Sequence, residues 1–506
     1  MKTLYTFLLI GFYFVSFGQT SQLKTADKKY EKYSYIDAIE IYEKVAEKGH
    51  KSAELFKKLG NSYYFNAELD KAARWYKELF NLNEEVEPEY YFRYAQCLKA
   101  IKDYENANKY LELFAKNSND PRGDAFLNNP NYLQKIEENS GKYTLDTVNL
   151  NSEYSDFSPS FFNNQIVFTS ARKEGAIYSK IHSWTKQNFT DLYVTTKNTD
   201  GSFSTVENFS KEINTKFNES SPVFTKDGKT MYFTRNNYND GKKRKSDDKV
   251  IMEKIYKAEL VNGEWTNVKE VPFSNDNYKT AHPTLSPDEK TMYFASDMPG
   301  SFGNSDLYKV SIDSNGNFGS PENLGPTINT EGRETFPFIT QDNVLIFASD
   351  SRAGLGGLDL YYVHLDSEYK EIKTFGQPIN SPQDDFGLIY NDQTQDGFFT
   401  SNRPEDNKGK DDIYRYKTLE IPKIFKINAI VQEEANSQSV EAIVLLLDGN
   451  KKQIAQLLSK DGKFEFADLE QGKKYFVSIT HPDFETYEGP VTFSGKETNL
   501  VFKLKK

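Results

Sequence analysis

Four aspartates occupy the same place in a repeating phrase: Asp191-Leu192-Tyr193, Asp306-Leu307-Tyr308, Asp359-Leu360-Tyr361 and Asp412-Ile413-Tyr414. Carboxylates at fixed spacing could ligate a metal or move protons. Regular recurrence argues instead for a structural device, an acceptor that pins a Gly-rich loop through backbone N–H groups in every unit. No Asp-x-Asp-x-Asp-Gly calcium loop occurs. The five histidines, His50, His182, His282, His364 and His481, are scattered, without His-Glu-x-x-His spacing. There is no Gly-x-Ser-x-Gly elbow and no phosphate loop. The acidic pairs Asp384-Asp385 and Asp411-Asp412 read as surface carboxylates in polar turns. Cys97 is the only cysteine, so no intramolecular disulfide forms, and it reads as a small buried apolar residue. The expectation is a chain that is not an enzyme, with no catalytic, metal or cofactor-binding residues.

Charge narrows the partners. Lys+Arg number 63 against Asp+Glu 74, a net charge of −11, which disfavours nucleic acid because phosphates call for clustered cations. The basic run Lys242-Lys243-Arg244-Lys245 reads as a solvated loop. High aromatic content, Tyr 33 and Phe 38, suits a β-rich protein with large contact surfaces. Residues 1–18 read as a cleaved export signal: Lys2, an apolar Leu8–Val15 run, then Ser16-Phe17-Gly18. That run is shorter than the roughly 20 residues a membrane span needs, and no later segment is apolar enough. The mature chain is expected in the periplasm, with no span of its own.

The elements that carry these residues come as repeats. Over residues 20–120 the pattern is helical. One unit has Phe56, Leu59, Gly60 and Tyr63, then Ala72 and Tyr76; another has Tyr91, Tyr94, Ala95 and Leu98, then Ala107 and Leu111; Ala38 and Tyr42 belong to an earlier partial one. These resemble the TPR repeat, with small residues where helices meet closely. A concave peptide-binding face and a plain spacer both remain open. Asn119-Asp120-Pro121-Arg122-Gly123 is expected to end the array and lead into a polar connector.

Over residues 142–418 short apolar strands alternate with turns. Ser158-Pro159, Ser221-Pro222, His282-Pro283, Phe336-Pro337 and Asp385-Phe386-Gly387 open five units. Each continues into a returning strand such as Met292-Tyr293-Phe294-Ala295-Ser296, then the Asp-Leu-Tyr strand or its equivalent, Ile255-Tyr256 in the second unit. Gly263-Glu264-Trp265 and Gly316-Asn317-Phe318 read as outer fourth strands. The phrase resembles the PD40, WD40-like repeat, which implies a β-propeller. Five blades are counted, closed by Tyr143-Thr144-Leu145, or six if the inserts at 171–190 and 235–253 hide strands.

Ile421-Pro422 marks the last boundary. Residues 423–506 hold Ile427–Val431, Ala442–Asp448, Asp461-Gly462-Lys463-Phe464-Glu465-Phe466 and Leu469, Gly472, Tyr475. This order resembles the carboxypeptidase regulatory-like domain, a small β-sandwich. The fold class is multidomain α + β: a TPR array, a five-bladed propeller and a sandwich.

Signal, TPR, PD40 and regulatory-like modules in this order resemble the PorE family of Bacteroidota periplasmic proteins. The resemblance implies a non-catalytic scaffold that docks to an outer-membrane β-barrel of the PorP/SprF type, with other type IX secretion components as further partners, supporting secretion or gliding. Relatives usually end in an OmpA-like domain; this sequence stops at Lys506 directly after the sandwich, either because it is cut there or because this member lacks the wall anchor, and peptidoglycan binding is not expected through the chain as given. The competing reading is a propeller that binds a small ligand or glycan as an envelope sensor.

Overall fold

The computed structural model describes residues 20–173, 181–198, 201–366, 371–404, 408–419, 424–470, 473–492 and 497–506. The export signal, the Ile421-Pro422 boundary with Lys423, and Gly472 lie outside them. The chain divides into two compact units, Met1–Val363 with Ile372–Thr418, and His364–Glu371 with Leu419–Lys506.

The first unit begins with helices. After a helical stretch over 20–30, called α1, come α2 (Tyr35–Glu47), α3 (Ala53–Tyr64), α4 (Leu69–Asn81), α5 (Glu89–Ala100) and α6 (Tyr104–Asn117). Two of these starts are chemically marked: Ser52 accepts from the Leu55 N–H, and Asp103 from the Asn106 N–H. Apolar residues on one stripe of each helix then bury together, among them Tyr42, Phe56, Leu59, Tyr76, Leu98 and Leu111. Gly60 sits where the Tyr76 ring crosses α3, and any Cβ there would overlap that ring. Tyr76 cannot swing away, because its hydroxyl donates to Asn61 Oδ1 at 2.8 Å in the buried core. Gly60→Ala is therefore expected to destabilise the helical array by about 1–3 kcal/mol, read in a denaturant melt.

The stretch after Asn119, which reads in the sequence as a polar connector, is helical. Pro121–Leu127 forms α7 and Tyr132–Asn139 forms α8. Pro121 opens α7 from the first turn, where its missing N–H costs nothing, and Asp120 caps the Arg122 N–H. Asp120 and Glu89 both pair with the Arg122 guanidinium, at 2.8 and 2.7 Å, which ties α7 to α5.

Among the described residues, five four-stranded antiparallel sheets follow. The first runs Asp156–Phe162, Gln165–Ser170, Asp191–Thr196, Glu207–Asn208; the second Glu219–Phe224, Thr230–Asn236, Glu253–Val261, Glu264–Glu270. The third runs Thr280–Leu285, Thr291–Ser296, Asp306–Ser311, Glu322–Asn323; the fourth Glu334–Ile339, Val344–Ser349, Asp359–His364, Lys373–Thr374. The fifth takes Asp385–Asn391, Asp396–Ser401 and Asp412–Thr418, and borrows its outer strand, Tyr143–Thr147, from the start of the region. The first strand of each sheet packs on the first strand of the next, and the fifth returns to the first, so the sheets form a closed ring. Gly316–Phe318 is not the fourth strand of its sheet. Gly316 turns the chain at φ 77°, Phe318 makes a single bridge to Ile312, and the strand is Glu322–Asn323. Within the insert at 235–253, the described structure is a two-residue hairpin, Tyr238–Asn239 with Lys242–Lys243. Both lysines are exposed, while Arg244 reaches back to Glu270.

The second unit has two sheets over one core. One is Lys463–Glu470, Ile424–Glu433 and Glu497–Leu504, the last pair parallel; the other is Gln453–Leu458, Ile443–Leu447, Phe476–Thr480 and Tyr487–Pro490. Ile427, Val431, Val444, Phe464, Phe466 and Val477 fill the space between them. Gly462 turns into the Phe464 strand at φ 76°, where a Cβ would strike the Val431 carbonyl at 2.7 Å.

Candidate functional site

Three of the four repeated aspartates hold loops. Asp306 accepts from the Phe302 and Gly303 N–H groups at 2.8 and 3.0 Å, Asp359 from Gly356 at 3.2 Å, and Asp412 from Lys408 at 2.5 Å. Asp191 instead pairs with Lys173. The acidic pairs are not surface turns. Asp385 and Asp412 each begin a strand and are fully buried, because the first residue of those strands points between neighbouring sheets.

Asp385 belongs to a device that sequence reasoning missed. A buried carboxylate starts four of the five first strands: Asp156, Glu219, Glu334 and Asp385. Four residues upstream, the N–H of Ser152, Thr215, Thr330 or Ser381 donates to it. Arginines form ion pairs with Asp156, Glu219 and Asp385: Arg172 at 2.6 Å, Arg235 at 3.0 Å and Arg403 at 2.6 Å. Each arginine also donates to a carbonyl just ahead of that segment, Leu150, Ile213 or Ile379, and Arg352 does the same to Ile328. The asparagine between carbonyl and hydroxyl residue closes the joint. Asn214 grips the N–H and C=O of Leu192 in the preceding sheet; Asn329 grips Leu307, Asn380 grips Leu360, and Asn151 grips Ile413, joining the fifth sheet to the first. The signal was present as Leu/Ile-Asn-Ser/Thr four residues ahead of each acid.

Burial raises Glu219 to about 8 and Glu334 to about 7, pushes Asp385 up, and at the sheet edges raises Asp384 and Asp412 to about 6 each. Between the unfolded glutamate value of 4.5 and about 8, the folded chain holds protons that the unfolded chain releases. The resulting stability is full below that window and is lost as pH rises through it. The melting temperature is expected to be higher at about pH 6 than at about pH 8, and Glu219→Gln to flatten that slope. An unchanged slope in the variant would refute the assignment to Glu219.

At the ring axis, the first strands carry another repeated feature. Ser158, Ser221, His282, Phe336 and Gly387 have φ of 48, 48, 55, 49 and 60°, each within a break in strand register. The left-handed conformation costs a non-glycine residue roughly 1–2 kcal/mol, so four such residues in one ring mark a place where backbone strain is held. The N–H of Ser158, Ser221 and His282 each donates to a threonine of the neighbouring sheet, Thr400, Thr169 and Thr234. The equivalent positions in the third and fourth sheets are Ala295 and Ala348, which have no hydroxyl. These five residues line a cavity of about 600 Å³ whose mouth includes Lys226, Glu289, Gln341 and Asp392.

Ser221 Oγ lies 2.8 Å from His282 Nδ1, and Ser158 Oγ lies 3.2 Å beyond Ser221. This serine–histidine contact spans 61 residues and was not visible in the sequence. The imidazole is a weak base: burial pushes it down to about 3, so at neutral pH it carries a single ring proton and takes up a second one poorly. Elsewhere, His182 sits edge-on to Phe189, and His481 Nδ1 accepts from the Asp483 N–H. His50 ends the turn after α2, and His364 ends its strand. Cys97 is buried in the helical core, which raises its thiol well above the ordinary value.

The helices cover the end of the ring away from the cavity mouth. They meet the loops that follow the second strands. Gln96 Nε2 donates to the Asp350 carbonyl at 2.5 Å and Lys99 Nζ to the Gly354 carbonyl at 3.1 Å, both buried. Gln383 donates to the Ala100 carbonyl, and Trp184 donates to the Phe65 carbonyl while stacking on Tyr33.

These features define a class: a helical array fixed to one end of a closed sheet ring, with an axial cavity at the other and a separate two-sheet unit. No family model matches the chain, and no curated protein sequence matches it. Among solved structures, it is similar to a TolB protein of Agrobacterium tumefaciens at 13% identity, covering 69% of this chain and 86% of that one, with a TM-score of 0.30. It is also similar to Zg3597, a family 117 glycoside hydrolase of Zobellia galactanivorans, at 14% identity, 56% and 93% coverage and a TM-score of 0.37. The RS223 β-xylosidase gives 10% identity, 55% and 95% coverage and a TM-score of 0.35. Among the described residues, no helix is long and apolar enough to cross a membrane.

Proposed function

We propose that this chain is a non-catalytic periplasmic scaffold. In this reading the helices are a TPR array, the ring is a five-bladed propeller closed by Tyr143–Thr147, and the last unit is a carboxypeptidase regulatory-like sandwich. The scaffold docks to an outer-membrane β-barrel of the PorP/SprF type and supports type IX secretion or gliding machinery. The observation that carries the reading is the junction of Gln96, Lys99, Gln383 and Trp184, which ties the array to the ring. Two broad surfaces are thereby held at one geometry, which suits assembly rather than turnover. The weak basicity of His282 beside Ser221 supports the non-catalytic part. The test is a mild-detergent pull-down of tagged protein from envelopes, with the co-purified proteins identified by mass spectrometry. One outer-membrane barrel at near-equal stoichiometry is expected; tagged protein recovered without any barrel would discard the reading.

A further inference from the structure

We propose that the axial cavity is a binding site for a neutral polyhydroxylated small molecule, a mono- or disaccharide, read by Ser158, Ser221 and His282 on one arc and by Phe336 on the other. At about 600 Å³ the cavity falls within the roughly 300–1,000 Å³ of small-molecule sites.

Four observations choose the ligand class. First, the polar arc is a connected chain. Ser221 donates to Ser158, so His282 Nδ1–H donates to Ser221, and Nε2 is left as a lone-pair acceptor with no protein partner among the described residues. A lone-pair acceptor on the ring and the Ser158 hydroxyl together match the donor and acceptor character of a sugar hydroxyl pair. Second, the imidazole is uncharged, so this arc does not call for an anion. The charges at the mouth are mixed, one Lys226 against Glu289 and Asp392. The two acids are already engaged, Glu289 with the Lys226 N–H and Asp392 with the Gln341 N–H. Third, the lining beyond His282 is aromatic. Phe336 stacks on the imidazole with ring centroids 3.8 Å apart and lies 4.7 Å from Phe386, so the part of it that lines the cavity is an apolar wall for the C–H groups of a sugar ring. Fourth, Pro159, Pro222, Pro283 and Pro337 stand directly after four of the five axial residues. Proline has no N–H to give, so these inner strands are poor edges for pairing with an extended peptide, and recognition falls to side chains.

The asymmetry is built by the neighbouring sheets. Threonines hold the serine and histidine positions, and alanines stand at the equivalent places next to the aromatic half. The site is separate from the helix-covered end, so it stands whether or not a barrel docks.

The experiment is saturation-transfer NMR on the full chain with glucose, N-acetylglucosamine and cellobiose as probes. A neutral Gly-Ser tetrapeptide and inorganic phosphate are the comparators. At least one saccharide is expected to bind saturably, and His282→Asn and Ser221→Asn to weaken it at least about tenfold. Asparagine is chosen because it tolerates the left-handed backbone at both positions. In the wild type, the His282 imidazole nitrogen resonance is expected to shift as the saccharide saturates, a readout that does not depend on the variants folding. No saccharide binding, binding only of peptide or phosphate, undiminished binding in folded variants, or an unshifted His282 resonance would each overturn the proposal.

Discussion

Replacing Arg403 with methionine is expected to cost the helix-and-ring unit about 3–5 kcal/mol. The guanidinium makes four hydrogen bonds at once: to the Ser401 hydroxyl, to the Pro378 and Ile379 carbonyls, and to Asp385 at 2.6 Å. Methionine keeps most of the aliphatic stem but returns none of those donors, and it loses the guanidinium that lies over the Phe399 and Tyr414 rings. Asp385, with no exposed surface, then stays buried without its cation. Leaving such a charge uncompensated costs more than the pair contributes over an apolar substitute. The check is a urea melt of the full chain followed by tryptophan fluorescence, since Trp75, Trp184 and Trp265 all belong to this unit. A shift below about 1 kcal/mol would mean that the latch is dispensable. The double variant Arg403→Met with Asp385→Leu is expected to recover much of the loss, because it removes the stranded charge as well.

Replacing Lys99 with glutamate is expected to part the helical array from the ring, at a cost of about 3–5 kcal/mol. Lys99 is almost wholly buried, lies 5.0 Å from the Tyr132 ring centroid and faces Asp359 across the junction. Burial pulls Lys99 down to about 8 and pushes Asp359 well up, so both groups lean towards their neutral forms there. A glutamate would set its carboxyl against Asp359 with the Gly354 carbonyl beside it, and would remove the one cation that faces them. Lys99→Met, which adds no charge, is expected to cost clearly less. Limited proteolysis around residues 119–142, with a separate unfolding step for the helices, is the readout. If the glutamate variant melts as one unit with unchanged cleavage, the junction does not depend on Lys99.

The first of these effects rests on contacts that the sequence carries but does not display. The Leu/Ile-Asn-Ser/Thr phrase recurs four times, but its partners lie elsewhere: Asn380 grips Leu360, 20 residues upstream in the preceding sheet, and Asn151 grips Ile413 across 262 residues. Reading each unit by itself places the Asp-Leu-Tyr strand correctly and leaves the asparagine looking like an ordinary turn residue. The same limit explains the acidic pairs. Two adjacent aspartates among polar neighbours look solvated until the strand that follows is seen to turn one of them inward. Pro121 looks like a stop, but capped by Asp120 it opens a helix.

The amino-acid sequence by itself determined the parts with short-range causes: helices from apolar stripes at helical spacing, strands from β-branched and aromatic runs between turn residues, and the close helix approach at Gly60. It also placed the Asp-held loops, because acceptor and donor lie within four residues at Asp306, Asp359 and Asp412. Only the tertiary structure decided the cavity. Ser158, Ser221, His282, Phe336 and Gly387 are each unremarkable in their own segment, and they become one surface because five sheets close on an axis. Closure also sets the local chemistry: burial, not any neighbour in sequence, holds His282 neutral and raises Glu219, because removing water penalises whichever form carries the charge.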